Sequence, residues 1–243
     1  MDDLVAALTR ARSLFVLTGA GMSADSGLPT FRGIDGYWGR HRVEELASPQ
    51  GFERDPRTVW RWYNERIAAY CEAAPNAGHC ALAEMQALVP QITIATQNVD
   101  SLHGRAGSKN VLELHGHLRE AVCTGCNATL PLANGFDEER IDHECGGRFR
   151  PQVVWFGEML PSAVWDRAAD AASRADVILV VGTSAQVYPA AALATQNGRA
   201  FVAEINPDAT ELTGRCDQVV REGAAAALPR LVSALRTTSL RTT

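Results

Sequence analysis

Thr18-Gly19-Ala20-Gly21-Met22-Ser23-Ala24-Asp25-Ser26-Gly27-Leu28-Pro29-Thr30-Phe31-Arg32 is the stretch that decides the reading of this chain. The apolar run Ser13-Leu14-Phe15-Val16-Leu17 precedes it and reads as a buried parallel strand. The run ends in Gly-x-Gly, which lets a backbone turn tightly and approach a ligand with no Cβ in the way. That is half of a dinucleotide-binding fingerprint. The other half departs from it: Ala24 stands where a third glycine is usual, and a Pro29-Thr30-Phe31-Arg32 loop replaces the continuing helix. A loop that covers the dinucleotide points to chemistry on the dinucleotide itself rather than hydride transfer from it.

Working outward, the apolar runs 14–17, 92–95, 111–114, 177–181 and 201–205 each end in polar or glycine-rich turns. Helical patterns lie between them at 56–72, 76–88, 161–173 and 189–197, and Asp55-Pro56 is a good helix start, an N-cap followed by proline. Alternating buried strands and helices predict an open, doubly wound parallel α/β sheet with helices on both faces. Ligands of such sheets bind beyond the carboxyl ends of the strands. The polar motifs fall there: Gly19-Ala20-Gly21, Gln97-Asn98-Val99-Asp100, His115-Gly116, Gly182-Thr183-Ser184 and Asn206. Segments 33–80 and 118–150 do not fit the sheet. They predict a small second domain beside the body formed by 1–32, 81–117 and 151–243. The tail 236–243 is polar and reads as frayed.

The chain has 243 residues and a formal net charge of −5, so charge gives no reason to expect a nucleic-acid partner. The longest apolar run, 177–181, is far too short for a bilayer. Met1-Asp2-Asp3 and the amphipathic residues after it lack the basic region and long apolar core of a signal peptide. The expectation is a cytoplasmic protein with no membrane partner. Six cysteines in such a protein point to thiols or metal rather than disulfides. Cys71, Cys80 and Cys216 read as small buried hydrophobes; Cys123, Cys126 and Cys145 form a separate group.

Two amides and a carboxylate in Gln97-Asn98-Val99-Asp100 can hold a carboxamide and a sugar hydroxyl, or simply cap a turn. His115, at a strand end before Gly116, is a candidate general base, although a lone histidine is more often structural. Gly182, Thr183 and Ser184 can meet phosphate or ribose, and Asn206 can read ribose hydroxyls. Arg150-Pro151-Gln152-Val153-Val154-Trp155-Phe156-Gly157-Glu158 reads as extended, either a core strand or an edge that pairs with an extended peptide.

These motifs, in this order and over nearly the whole chain, closely resemble the sirtuins. The resemblance implies a Rossmann-like domain, a small zinc-bearing module and consumption of NAD to remove acyl groups from lysine of acylated proteins or peptides. It places Gly19, Ala20, Gly21, Ser23, Ala24, Asp25, Pro29, Thr30, Phe31, Arg32, Tyr37, Trp38, Gln97, Asn98, Val99, Asp100, Gly182, Thr183, Ser184, Asn206 and Ala224 at the cofactor. His115, with Asn98 and Asp100, is implied as catalytic, taking a proton from a ribose hydroxyl, with nicotinamide and 2′-O-acyl-ADP-ribose as products. Val154, Trp155, Phe156, Gly157 and Glu158 are implied as the peptide clamp. Ala24-Asp25, Gly36-Tyr37-Trp38 and above all Tyr63-Asn64-Glu65-Arg66 are similar to the branch that removes succinyl and malonyl groups. Positions i and i+3 share a helix face, and a guanidinium fork with a hydroxyl suits a carboxylate. Acetyl is the weaker alternative substrate. Mono-ADP-ribosyl transfer or NAD hydrolysis by the same cleft is the alternative activity.

The zinc ribbon of that family needs Cys-x-x-Cys twice. Cys123-Thr124-Gly125-Cys126 is intact, but only Cys145 remains of the second pair, with Asp142 where its partner should be and His143 next to it. Three thiolates with Asp142 or His143 can hold zinc. The alternative is a module that has lost its metal and holds by packing.

Overall fold

The computed structural model describes residues 1–30, 46–133 and 135–239. Helix α1 (Asp2–Arg10) buries Leu4 and Leu8 and leads into β1 (Ser13–Thr18). Two 3-10 turns, Ala20–Met22 and Ala24–Ser26, follow in place of a helix and stop at Gly27, whose φ is 80°. Helix α2 (Pro49–Arg54) is capped by Ser48 and α3 (Pro56–Glu72) by Asp55, each with proline at its start. Helix α4 (Ala77–Met85) begins in a capping box between Asn76 and His79. Then come β2 (Gln91–Thr96), α5 (Leu102–Arg105), β3 (Val111–Glu113), β4 (Gly116–Cys123), β5 (Thr129–Pro131) and β6 (Phe149–Val153). The chain closes with α6 (Ser162–Arg174), β7 (Val177–Val181), β8 (Phe201–Ile205), β9 (Gln218–Val220) and α7 (Ala224–Ser239).

Six strands form a wholly parallel sheet in the order β3-β2-β1-β7-β8-β9. Strand residues alternate between its two faces. Leu14 and Val16 join Leu4, Leu82 and Leu231 under α1, α4 and α7, whereas Phe15 and Leu17 join Ala168 and Ala172 under α6. Both faces are therefore covered, which is why β7 is apolar and buried throughout. Strand order runs outward in opposite directions from β1 and from β7, and ligands of such sheets bind in the crevice beyond the strand ends at a switch point of this kind. A second, antiparallel sheet, β5-β4-β6, packs on α3. Trp60, Tyr63 and Ile67 meet Leu118, Ala121, Phe149 and Trp155 there, and the Trp60 indole donates to the Phe149 carbonyl at 2.9 Å.

Several expectations change. The tail is not frayed at 236: α7 runs to Ser239 because Leu231, Val232 and Leu235 bury against the sheet and Arg236 pairs with Glu84. The pattern at 189–197 closes as a 3-10 segment, Ala190–Thr195, not an α-helix. Cys71 and Cys80 are exposed, on the outer faces of α3 and α4, and Cys216 is half-buried. Strand β9, with no apolar run longer than Val219-Val220, gave no strand signal. Among the described residues no helix is long and apolar enough to cross a membrane.

His79 and His103 are buried side by side, ring centroids 4.9 Å apart, with His103 Nε2 3.0 Å from Thr18 Oγ1. Burial pushes their pKa values down, His79 to about 4 and His103 to about 3. The unfolded chain takes up these protons near pH 6.5 and the folded chain does not, so stability falls as pH falls from 6.5 toward 4. The loss reaches at most about 2 kcal/mol per histidine at pH 5; Asp100, whose carboxyl burial raises, acts in the opposite direction. Urea titrations at pH 7 and pH 5 should show this loss. His79→Gln/His103→Gln, which keeps an acceptor at the capping box, should flatten it. An unchanged slope in the double variant would contradict this assignment.

Candidate active site

The crevice is built where two loops cross at contact distance. Gly21 N donates to the Gly182 carbonyl at 2.8 Å, and Gly19 N to the Val181 carbonyl at 3.1 Å. Gly182 has φ 59°, and a Cβ on it would sit 2.4 Å from the Gly21 carbonyl carbon and Met22 N. A Cβ on Gly19 or Gly21 would meet Thr183 or Gly182 at 2.7–2.8 Å. The glycine motif, expected to clear space for a ligand, here clears space for the backbone of the opposite loop.

Around this crossing the five strand ends are tied into one network. Asn98 Nδ2 donates to the Gly19 carbonyl at 3.0 Å and to Ser23 Oγ at 3.1 Å. Ser23 Oγ donates to Asp100 Oδ2 at 2.7 Å, and Asp100 Oδ1 accepts from Leu102 N. Gln97 Nε2 donates to Thr183 Oγ1 at 3.0 Å, and Asn206 Nδ2 to the Thr183 carbonyl at 3.1 Å. His115 Nδ1 lies 3.0 Å from the Gln97 carbonyl. A carbonyl only accepts, so Nδ1 carries the proton and Nε2 keeps its lone pair. Burial lowers the His115 pKa, the Gln97 bond opposing it, so the ring is neutral at pH 7. Burial raises the Asp100 carboxyl, against the bonds from Leu102 and Ser23.

The remaining expected positions fall around this centre. Val99 packs toward the small sheet, and its carbonyl accepts from Leu118 N. Ser184 is half-buried beside Thr183. Ala24 and Asp25 are exposed, and Asp25 lies against Gly223, the residue before Ala224 and α7. Pro29 is exposed and Thr30 half-buried. Phe31, Arg32, Tyr37 and Trp38 lie outside the described residues. A brace missing from the sequence reading sits beneath Asn206: fully buried Glu204 accepts from Thr210, Thr213 and Arg221, and Arg221 also donates to the Asn206 and Asp208 carbonyls. No local signal joins residues so far apart.

Tyr63 meets the small sheet from α3, and Arg66, three residues on, is buried with it. The Tyr63 hydroxyl accepts from the Trp155 indole at 2.9 Å. Burial pushes that hydroxyl far above its usual range, opposed by the Trp155 bond and the nearby Arg66 charge, so it stays protonated. Arg66 is buried, lies 3.1 Å from the Trp62 ring centroid and donates to the Trp62 carbonyl. The extended expectation for 150–158 holds only to Val153. Beyond it the chain turns, with Gly157 at φ 87°. Val154 N bonds the His115 carbonyl, Trp155 N the Glu158 carboxylate, Phe156 N the Ala47 carbonyl and Glu158 N the Trp155 carbonyl. Four of five N–H groups are thus spent inside the protein, which a free strand edge would have offered to a peptide.

Residues 19–189 match the model of the Sir2 family. The chain belongs to that family. It is 48% identical over 242 residues to NAD-dependent protein deacylase 1 of Archaeoglobus fulgidus, covering 97% of this chain and 98% of that one. A solved Sir2 homolog–NAD complex superimposes with a TM-score of 0.92 at 46% identity, over 98% of this chain and 94% of that one. A Sir2–p53 peptide–NAD+ complex does so with a TM-score of 0.87 at 30% identity, over 96% and 97%.

The Sir2 chain's small sheet carries a second constellation. Ligand atoms of Cys123, Cys126, His143 and Cys145 lie within 4.8 Å of one another. Cys123 Sγ is 3.4 Å from Cys145 Sγ, and Cys126 Sγ is 3.6 Å from His143 Nδ1. A tetrahedral zinc with bonds of about 2.3 Å sets its ligand atoms roughly 3.5–3.8 Å apart, so the set fits. A Cβ on Gly147 would strike Gly125 N and Cys123 Sγ, so the turns close tightly around the thiols. Asp142, the other expected fourth ligand, is turned away: it is exposed and pairs with Arg148. His143 is the one of the two that stands with the three thiols. Elemental analysis should find zinc near one per chain. His143→Ala should lower that content while Asp142→Ala leaves it unchanged, and the reverse pattern would refute the assignment.

Proposed function

We propose that this chain is an NAD-dependent protein-lysine deacylase that acts on succinyl- and malonyl-lysine and, less readily, on acetyl-lysine. The observation that carries the reading is the His115 ring, neutral and fixed by Gln97 so that Nε2 is available as a base at the end of β3. The named relatives support it: one is an NAD-dependent protein deacylase and others are Sir2 complexes with NAD and with a peptide.

NAD, when bound, supplies a nicotinamide–ribose bond whose cleavage makes the ribose the acceptor of the acyl group as the lysine amide is broken and one water is consumed, giving nicotinamide, free lysine and 2′-O-acyl-ADP-ribose. Asn98 has committed its Nδ2 to Gly19 and Ser23, which turns Oδ1 into the acceptor offered to a carboxamide or a ribose hydroxyl. Asp100, oriented by Ser23 and Leu102, offers a carboxylate to the same ligand. Thr183, Ser184 and Asn206 line the positions suited to phosphate and ribose, and Gly19, Ala20, Gly21, Ala24, Asp25, Pro29, Thr30, Phe31, Arg32, Tyr37, Trp38 and Ala224 complete the cofactor set. His115 Nε2 takes a proton from a ribose hydroxyl. The turn 154–158 holds the peptide, and Arg66 with the protonated Tyr63 hydroxyl receives the acyl carboxylate. Segments 33–80 and 118–150 form the second unit beside the NAD-binding body, with zinc, held by Cys123, Cys126, His143 and Cys145, fixing its fold.

His115→Ala should fold and bind NAD but lose about a hundredfold to ten-thousandfold in deacylation, followed by mass spectrometry of a succinyl-lysine peptide. Near-normal turnover would remove His115 from the reaction. Because burial lowers its pKa, wild-type kcat/KM should stay level near pH 7 and fall only below the ordinary imidazole range.

Arg66→Met should lower desuccinylation at least about tenfold more than deacetylation, the size of one charge-assisted contact. Equal losses on both peptides would refute the carboxylate role.

A further inference from the structure

Arg150, on β6, takes no part in the reading above, yet its guanidinium joins the two ends of the substrate site. Its Nη1 and Nη2 engage Glu158 Oε1 and Oε2 as a fork, and Nη2 also donates to the Val153 carbonyl at 2.8 Å. The same guanidinium lies 3.5 Å from the centroid of the Trp155 ring. Glu158 Oε2 in turn accepts from Trp155 N at 2.8 Å, which closes the turn. On its far edge the Trp155 indole N–H points at the Tyr63 hydroxyl. The pair is largely shielded, with Arg150 and Glu158 side chains 16% and 25% exposed. Burial alone would raise the Glu158 carboxyl, but Arg150 and the Trp155 N–H outweigh it and hold it below its usual range. The bonds of Arg150 to Glu158 and Val153 and of Trp155 N to Glu158 are charge-assisted, and the stacked indole passes a shift of the guanidinium on to the tyrosine through its neutral bond to Tyr63.

We propose that Arg150 is a positioning residue for acyl-lysine binding: it fixes the shape of the 154–158 turn through Glu158 and aims the Tyr63 hydroxyl through Trp155. This rests on the reading of that turn and of Tyr63 as substrate contacts. A guanidinium is required because only a planar fork grips the carboxylate and lies flat on the indole together.

Three variants test it. Arg150→Met keeps the stem over Trp155 and removes the fork. Arg150→Met/Glu158→Gln also removes the carboxylate left behind. Arg150→Lys keeps the charge alone. For Arg150→Met, the KM and the directly measured Kd for a succinyl-lysine peptide should rise about tenfold, the size of one lost charge-assisted contact. KM for NAD should stay within about twofold and kcat at saturating peptide within about threefold. Activity on succinyl- relative to acetyl-lysine should fall, because Tyr63 loses its fixed partner, and Arg150→Lys should recover little of it. A purely structural role would instead lower kcat and melting temperature with peptide KM and Kd unchanged. That outcome overturns the proposal, as does wild-type behaviour in both Met variants. Failure of all three variants to fold assigns Arg150 to stability alone and also overturns it. If the wild type releases no acyl group from any acyl-lysine peptide, the deacylase reading itself falls; if it does and the variants match it, only the role of Arg150 falls.

Discussion

Gly21 and Gly182 meet backbone to backbone, and the arrangement of the strand ends follows from that contact. The two loops leave neighbouring strands, β1 and β7, at the point where strand order reverses. Bonds from Gly19 and Gly21 to Val181 and Gly182 hold them together at their roots. A side chain at Gly182 would strike Gly21 and Met22, and its φ of 59° lies in the left-handed region, which also favours glycine. With the roots fixed, Ser23, Asn98, Asp100, Gln97, Thr183 and Asn206 fall within hydrogen-bond reach of one another, although they come from four different strand ends.

Burial then sets the protonation states. The same desolvation that keeps His115 neutral raises the Asp100 carboxyl and keeps the Tyr63 hydroxyl protonated. His115 presents a neutral imidazole beyond β3, and α3 carries a phenol beside a buried guanidinium. The proposed function assigns proton abstraction to the first and recognition of an anionic acyl group to the second. Helix α3 and the small sheet hold the second jointly. Trp155 connects them, packed on Phe52, bonded to Tyr63 and stacked on Arg150.

Five of the six strands of the parallel sheet were legible because they are short, largely apolar and punctuated by glycine or polar residues at their carboxyl ends; the edge strand β9, Gln218-Val219-Val220, was not. Alpha helix 56–72 was legible from Asp55-Pro56 and its apolar spacing, and the structure ends it at Glu72 as expected. The strand-end residues could be picked out because their polar types sit where the period of burial stops. What the sequence hid is what depends on distant partners. The turn at 154–158 breaks an extended pattern because Glu158 folds back on Arg150 and Trp155. Spacing left Asp142 and His143 equal, because what separates them lies in the folded turn: His143 stands with the three thiols, while Asp142 is exposed and pairs with Arg148. The polar tail read as frayed from 236, but Leu235 and the pair of Arg236 with Glu84 carry the helix on to Ser239. The glycines were identified, while the surface they accommodate belongs to a loop more than 150 residues away.

Under the proposed function this crevice spends NAD only to move an acyl group from lysine. The decisive measurement is nicotinamide release from NAD with and without an acyl-lysine peptide. Release should be negligible without the peptide and, with it, one nicotinamide for each deacylated lysine. Release at a similar rate without peptide, or in clear excess over deacylated lysine, would contradict it.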